Sequence, residues 1–185
     1  MNINTDRILY DKGPYHVEIR IFLSSTFCDL QEERSVIVNK VAAALNKRYN
    51  DKGIKIIIVD LRWGVTDEAA RNGEVIEICL NEIQKSRPYF AAIIGGRYGW
   101  QPTEDEIRHK RSLCRLYPNV LEDVRNERSI TEMEIQYAFL KDNLLERQCV
   151  FFFKELDCVD DNYKDSGKAL EHLLNLRASI ATKAK

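Results

Sequence analysis

The hydroxyl-rich run Ser24-Ser25-Thr26-Phe27, the pair Arg62-Trp63 and the acidic Glu134 are residues whose types and spacing could do chemistry together. Hydroxyls just ahead of a helix amino terminus offer a seat for phosphate, because free backbone N–H groups there favour an anion. The same residue types also turn and cap a chain, so both readings stand. Arg62 and Trp63 put a guanidinium beside an indole, able to hold a phosphate and to stack a base. Trp63 equally suits a packing anchor for its loop.

Glu134 is judged by its place on a helix. At about 100° per residue, Ile130, Met133, Tyr137, Leu140 and Leu144 gather on one side. Glu134 falls roughly 40° from Ile130, at the margin of that apolar side, and Glu132 falls nearly opposite. Glu134 is thus predicted to lean toward the core and Glu132 toward water. A carboxylate beside apolar groups has its charged form disfavoured, which prepares an acid or a base. Against this, Ser129 with Glu132 and Thr131 with Glu134 each spell a capping box, and the second would make Glu134 a helix cap.

Other arrangements are missing from the sequence. Gly95-Gly96-Arg97-Tyr98-Gly99 does not fit the Walker A pattern, and no G-x-G-x-x-G follows the first strand. His16, His109 and His172 are far apart, and the five cysteines form no C-x-x-C pair, so no metal site or disulfide framework is indicated. Cys28 lies near a helix start, where a thiol can be activated, but a small buried residue is the commoner use of a free cysteine.

The elements that must position these groups alternate. Residues 1–16 read as an irregular lead-in. Val17 to Ser24 is a β-branched, apolar strand. Asp29 can cap a helix that runs to about Tyr49, with Glu32 in a box-like position. Ile54 to Leu61 is a nearly continuous apolar run, as in a strand buried on both faces. Arg62 to Gly73 reads as a polar loop. A second helix spans about Glu74 to Lys85, a third strand Tyr89 to Ile94, and residues 101–128 form a long charged connection. A third helix covers roughly Ile130 to Arg147, followed by the strand Cys149 to Phe153 and a last helix over about Ser166 to Ala181. Alternation of this kind calls for an α/β fold with a flavodoxin-like parallel sheet and helices on both faces. Right-handed crossovers favour strand order 2-1-3-4, with a fifth strand expected beyond residue 185. The ligand crevice then lies between strands one and three.

A net charge of −1 disfavours a general nucleic-acid binder. No stretch reaches transmembrane length and the amino terminus lacks an apolar signal core, so the expected compartment is the cytoplasm. Residues 17–185 read as one domain excised from a longer polypeptide.

IRIFLSSTFCDLQEER, VDLRWGVTDE, GEVIEICLNEIQKSRPYFAAIIGGRYGW and SITEMEI resemble the DUF4062 domain. That domain is a TIR-like module at the amino end of NACHT or other STAND-type ATPase proteins with WD40 or TPR repeats. The likeness covers about residues 17–153. It implies a TIR-type fold in which Arg62 to Gly73 is placed like the BB loop, and a signalling or defence role within a multidomain sensor. In TIR enzymes a glutamate on the helix after the third strand acts on the nicotinamide riboside of NAD, and Glu134 corresponds to it by position. Those enzymes often carry a tryptophan four residues earlier, where this chain has Ile130. One reading is therefore an NAD-processing effector, with Glu134 catalytic and Ser24, Ser25, Thr26, Phe27, Arg62 and Trp63 holding the nucleotide. The other is a non-catalytic domain that self-associates or contacts other domains of its host protein. Neither reading requires a resident cofactor, a metal, a nucleic acid or a membrane.

Overall fold

The computed structural model describes residues 17–61, 74–141 and 148–184. The expected lead-in 1–16, the loop Arg62 to Gly73 and the third-helix residues 142–147, Leu144 among them, lie outside the described residues.

Four strands, β1 (Val17–Ser24), β2 (Ile54–Val59), β3 (Tyr89–Ile94) and β4 (Gln148–Phe153), form one sheet in the order β2-β1-β3-β4. All three pairings are parallel, with Phe22 opposite both Val59 and Phe90. This is the expected flavodoxin-like topology, with β1 at the centre and the order reversing between β1 and β3. Residues 31–49 form one helical run, α1, in which Gln31–Val36 and Ala42–Tyr49 flank a π-helical turn, Ile37–Val41. α2 is Glu74–Lys85. Ile130–Ile135, here α6, continues through a second π-helical turn at Gln136–Leu140, and α7 is Gly167–Lys183. Among the described residues no helix is long and apolar enough to cross a membrane.

Side chains alternate across a strand, and that alternation divides the core. Leu23, Ala91 and Ile93 face α1, where Leu30, Ile37 and Val38 meet them. Phe22, Phe90, Ala92 and Ile94 face the opposite layer, built from α2, α6 and α7 through Ile76, Leu80, Met133, Leu173 and Leu176.

Three local expectations are corrected. The connection 101–128 is not irregular: it folds into α3 (Glu104–Ile107), α4 (Arg111–Leu116) and α5 (Val120–Arg125). Ile107, Leu113, Val120 and Val124 anchor these short helices in the α2/α6 layer. α1 begins at Gln31 with Leu30 at its N-cap and no side-chain cap, so Asp29 does not cap it. Glu132 does not face water. Tyr98, from the turn after β3, and Arg128 cover its side of α6, and Glu132 is buried with them and Gln136 as partners.

Candidate functional site

Ser24 ends β1 with the parity of Phe22, so its side chain points into the α2/α6 layer. There its hydroxyl donates to Glu134 Oε2 at 2.5 Å. Cys79 of α2 also hydrogen-bonds the same carboxyl group. Ser129 occupies the N-cap of α6, its oxygen accepting from the Glu132 N–H at 3.2 Å. Glu134 is one turn into the helix, with its carboxyl turned to β1 and α2. Burial pushes its pKa up, and the bonds from Ser24 and Cys79 together with the nearby Arg34 charge only partly oppose that. The Cys79 thiol is pushed well up by its own burial and by the adjacent Glu134, so it packs and donates rather than reacting.

Ser25 has the opposite parity and points toward α1. Its hydroxyl oxygen accepts from Arg34 Nη1 at 2.6 Å and the hydroxyl donates to the Thr26 carbonyl at 2.9 Å. Arg34 is 1% exposed. It donates to Asp60 at the end of β2 (2.5 and 3.1 Å) and to the Leu23 carbonyl at 3.1 Å. A guanidinium shared among a carboxylate and strand-end carbonyls is the form in which a cation tolerates burial. Its carbon also lies 5.0 Å from the Phe27 ring centre.

Thr26 donates to Asp29 Oδ1 at 2.5 Å, and Asp29 Oδ2 accepts from the Gly96 N–H at 3.1 Å. The turns after β1 and β3 are thereby tied together. The hydroxyls of Ser25 and Thr26 are thus committed to protein partners, and a carboxylate stands where the phosphate seat was expected.

A cavity of about 660 Å³ opens at this end of the sheet. Ser25, Thr26, Phe27 and Cys28 form one wall, Arg97, Gly99 and Trp100 another, and Glu134 with Thr131, Cys79 and Val75 a third. Phe27 and Trp100 are 44% and 45% exposed, leaving two aromatic faces open at the cavity. Arg97 is the cation on the wall among the described residues, facing Asp165 at 3.7 Å. Asp165 also accepts from the Tyr98 N–H at 2.7 Å.

The structure therefore brings Glu134, Ser25, Thr26 and Phe27 to one cavity. Ser24 supports Glu134 from behind, and Arg62 and Trp63 lie outside the described residues. Sequence reasoning missed Arg34, Cys79 and Asp165, and it read Asp29 only as a helix cap. Arg34 left a readable signal: four residues after Leu30 and three before Ile37, it is a charge on the apolar stripe of α1. Asp165 left none, since only the fold carries it to the cavity. Among the described residues no group of His, Cys, Asp and Glu is arranged to hold a metal ion.

The family described as "Domain of unknown function (DUF4062)" matches residues 20–184. The chain is 33% identical over 153 residues to telomerase protein component 1 of Rattus norvegicus, covering 79% of this chain and 6% of the relative. A TPR repeat-containing protein of Dictyostelium discoideum is 33% identical over 144 residues, 75% of this chain and 8% of its own length. A NACHT domain- and WD repeat-containing protein of Mus musculus is 33% identical over 63 residues, 31% of this chain and 4% of its own length. The chain thus spans a small part of each of these relatives. No solved structure matches it.

Proposed function

Since the chain belongs to the DUF4062 family, whose relatives here are much longer repeat-containing proteins, we propose that it is the signalling domain of a multidomain sensor and acts on NAD or a closely related nucleotide through Glu134. One observation carries the reading: the Glu134 carboxyl, buried and held by Ser24 and Cys79, lies on the wall of a 660 Å³ cavity that also presents Phe27 and Trp100. A cavity of that size takes a nucleotide. The open aromatic faces stack its planar ring, and Arg97 supplies positive charge for phosphate.

In hydrolysis the bond between ribose C1′ and the pyridinium nitrogen breaks, and its electron pair leaves on neutral nicotinamide. Water adds to C1′ and its proton passes to the Glu134 carboxylate. A raised pKa makes the ionised form of Glu134 the stronger base, and before water arrives its charge stabilises the cationic ribose. Arg34, buried beneath Phe27, holds the β1 turn in place and does not touch the nucleotide.

The test is release of nicotinamide from NAD, followed by mass spectrometry, with the chain both free and artificially clustered. Removal of a general base typically costs about 10²–10⁴-fold in rate, so Glu134→Ala should abolish detectable product. Silence from both forms, or turnover undiminished in Glu134→Ala, would overturn the reading.

A further inference from the structure

We propose that Thr131 and Asp165 form a subsite for the vicinal diol of a ribose, so that the cavity takes ribonucleotides whose sugar hydroxyls are free. The proposal rests on the reading of the cavity as a nucleotide site and names the part of the ligand that is held beside Glu134.

The polar groups on the cavity wall are of two kinds. Thr26 donates to Asp29, and the Ser25 hydroxyl both accepts from Arg34 and donates to the Thr26 carbonyl, so these two are committed within the chain. Thr131 is of the other kind. It lines the cavity, and among the described residues its hydroxyl has no hydrogen-bond partner. Ser129 is the N-cap of α6 and accepts from the Glu132 N–H, which releases Thr131 from that duty. Asp165 is committed through one oxygen. Its Oδ2 accepts from the Tyr98 N–H at 2.7 Å, and its own N–H donates to the Gly96 carbonyl at 2.9 Å, so the carboxylate is fixed in place. Arg97 Nε stands 3.7 Å from Oδ1, beyond the reach of a hydrogen bond, and that oxygen keeps its capacity to accept.

The two groups are neighbours. A Cβ on Gly99 would lie 3.4 Å from Thr131 Oγ1, and Asp165 is bonded to Tyr98. Both therefore abut consecutive residues, whose Cα atoms are about 3.8 Å apart. Thr131 also stands one turn before Glu134 on α6, where residues three apart share a face. A ribose diol matches this set. One hydroxyl donates to Asp165 Oδ1, its neighbour accepts from Thr131, and C1 of the same sugar is brought toward Glu134. A site built to bond a hydroxyl rejects the analogue that lacks it, because the polar group of the site is then left unpaired. A phosphate on either hydroxyl would bring negative charge against Asp165.

The test is calorimetry on the unaltered chain with ADP-ribose and with its analogues lacking the 2- or the 3-hydroxyl of the terminal ribose. The analogue that loses the bond to the charged acceptor should bind at least about tenfold more weakly, and the other about three- to tenfold. Asp165→Asn keeps an acceptor for the Tyr98 N–H, and Thr131→Val keeps the shape of its side chain. Each should erase the discrimination against one analogue and spare the other, whereas a merely structural role would change all affinities and leave their ratios alone. Should a variant fail to fold, the three ligands on the unaltered chain decide. ADP-ribose bound no more tightly than either analogue, or ratios unmoved in both variants, would overturn the subsite and leave the nucleotide reading standing. Failure of all three ligands to bind would overturn both.

Discussion

Burial is the largest influence on the Glu134 carboxyl and raises its pKa in the folded chain above the ordinary glutamate value. The folded state therefore holds its proton more tightly than the unfolded one, so this contribution to stability is complete below the unfolded pKa and is lost as pH rises through the folded pKa. Each unit of difference is worth about 1.4 kcal/mol. Glu134→Gln, which cannot ionise, should flatten that slope and overtake the parent in urea-unfolding stability as pH increases. Catalysis by the carboxylate should run the other way, with nicotinamide release rising over the same window in which stability falls. Ser24→Ala removes a bond that lowers the pKa, so it should move both curves to higher pH; an unmoved activity curve would separate Glu134 from the chemistry. Arg34 offers a test of structure alone. Arg34→Met breaks the buried pair with Asp60, and breaking such a pair typically costs about 3–5 kcal/mol, read from the urea midpoint. Glu134 was legible because carboxylate and apolar stripe share one helix. The burial of Glu132 was not, because what covers it comes from residues 98 and 128 and from a π-helical turn that shifts the phase of the helix.

The strands and long helices could be read from the chain because each repeats one pattern over enough residues to overcome noise. α3, α4 and α5 could not: each is at most six residues long, and a turn and a half leaves no period to count. What holds them is tertiary. Asp123 at the end of this insert is fully buried and receives bonds from Tyr117, Arg128 and Lys141. Arg128 reaches on to Glu132 at 2.9 Å, tying the insert to the helix that carries Glu134. Asp123→Ala breaks both ion pairs of a fully buried carboxylate and should destabilise the chain by about 3–5 kcal/mol, with the amides of α4 and α5 exchanging faster. The turn after β3 is as demanding. A methyl group on Gly96 would lie 2.7 Å from both the Tyr163 carbonyl oxygen and a Val159 methyl carbon. Gly99, at a φ of 99°, holds a left-handed conformation beside Thr26. Gly96→Ala should therefore cost about 1–3 kcal/mol, as overpacking does, and should displace the cavity wall carrying Arg97 and Trp100.

Strand order 2-1-3-4 followed from alternation, right-handed crossovers and the apolar run of β2, which are properties of the whole chain and need no side-chain detail. The position of the cavity followed with it, since a reversal between β1 and β3 opens a crevice at the carboxyl ends of those strands. Its lining followed only in part: Ser25, Thr26, Phe27 and Glu134 were read from the chain, whereas Cys79 and Asp165 come from segments that only the fold brings to them. Binding to this cavity has a consequence for the entire molecule that turnover does not share: a ligand held by the folded chain alone raises its melting temperature by mass action. At a hundredfold excess over Kd the gain is about 2.7 kcal/mol, and for a chain of this size each kcal/mol moves the midpoint by about 2–4 °C. Glu134→Gln keeps the cavity's shape and should not consume NAD, so NAD or ADP-ribose should raise its melting temperature by about 5–10 °C at that excess. Phe27→Ala and Trp100→Ala each remove an exposed ring whose stacking is worth about 1–3 kcal/mol, so either should shrink the shift while leaving the unliganded midpoint nearly unchanged. A midpoint indifferent to both nucleotides at millimolar concentration, in the parent chain as in Glu134→Gln, would mean that the cavity is not a nucleotide site.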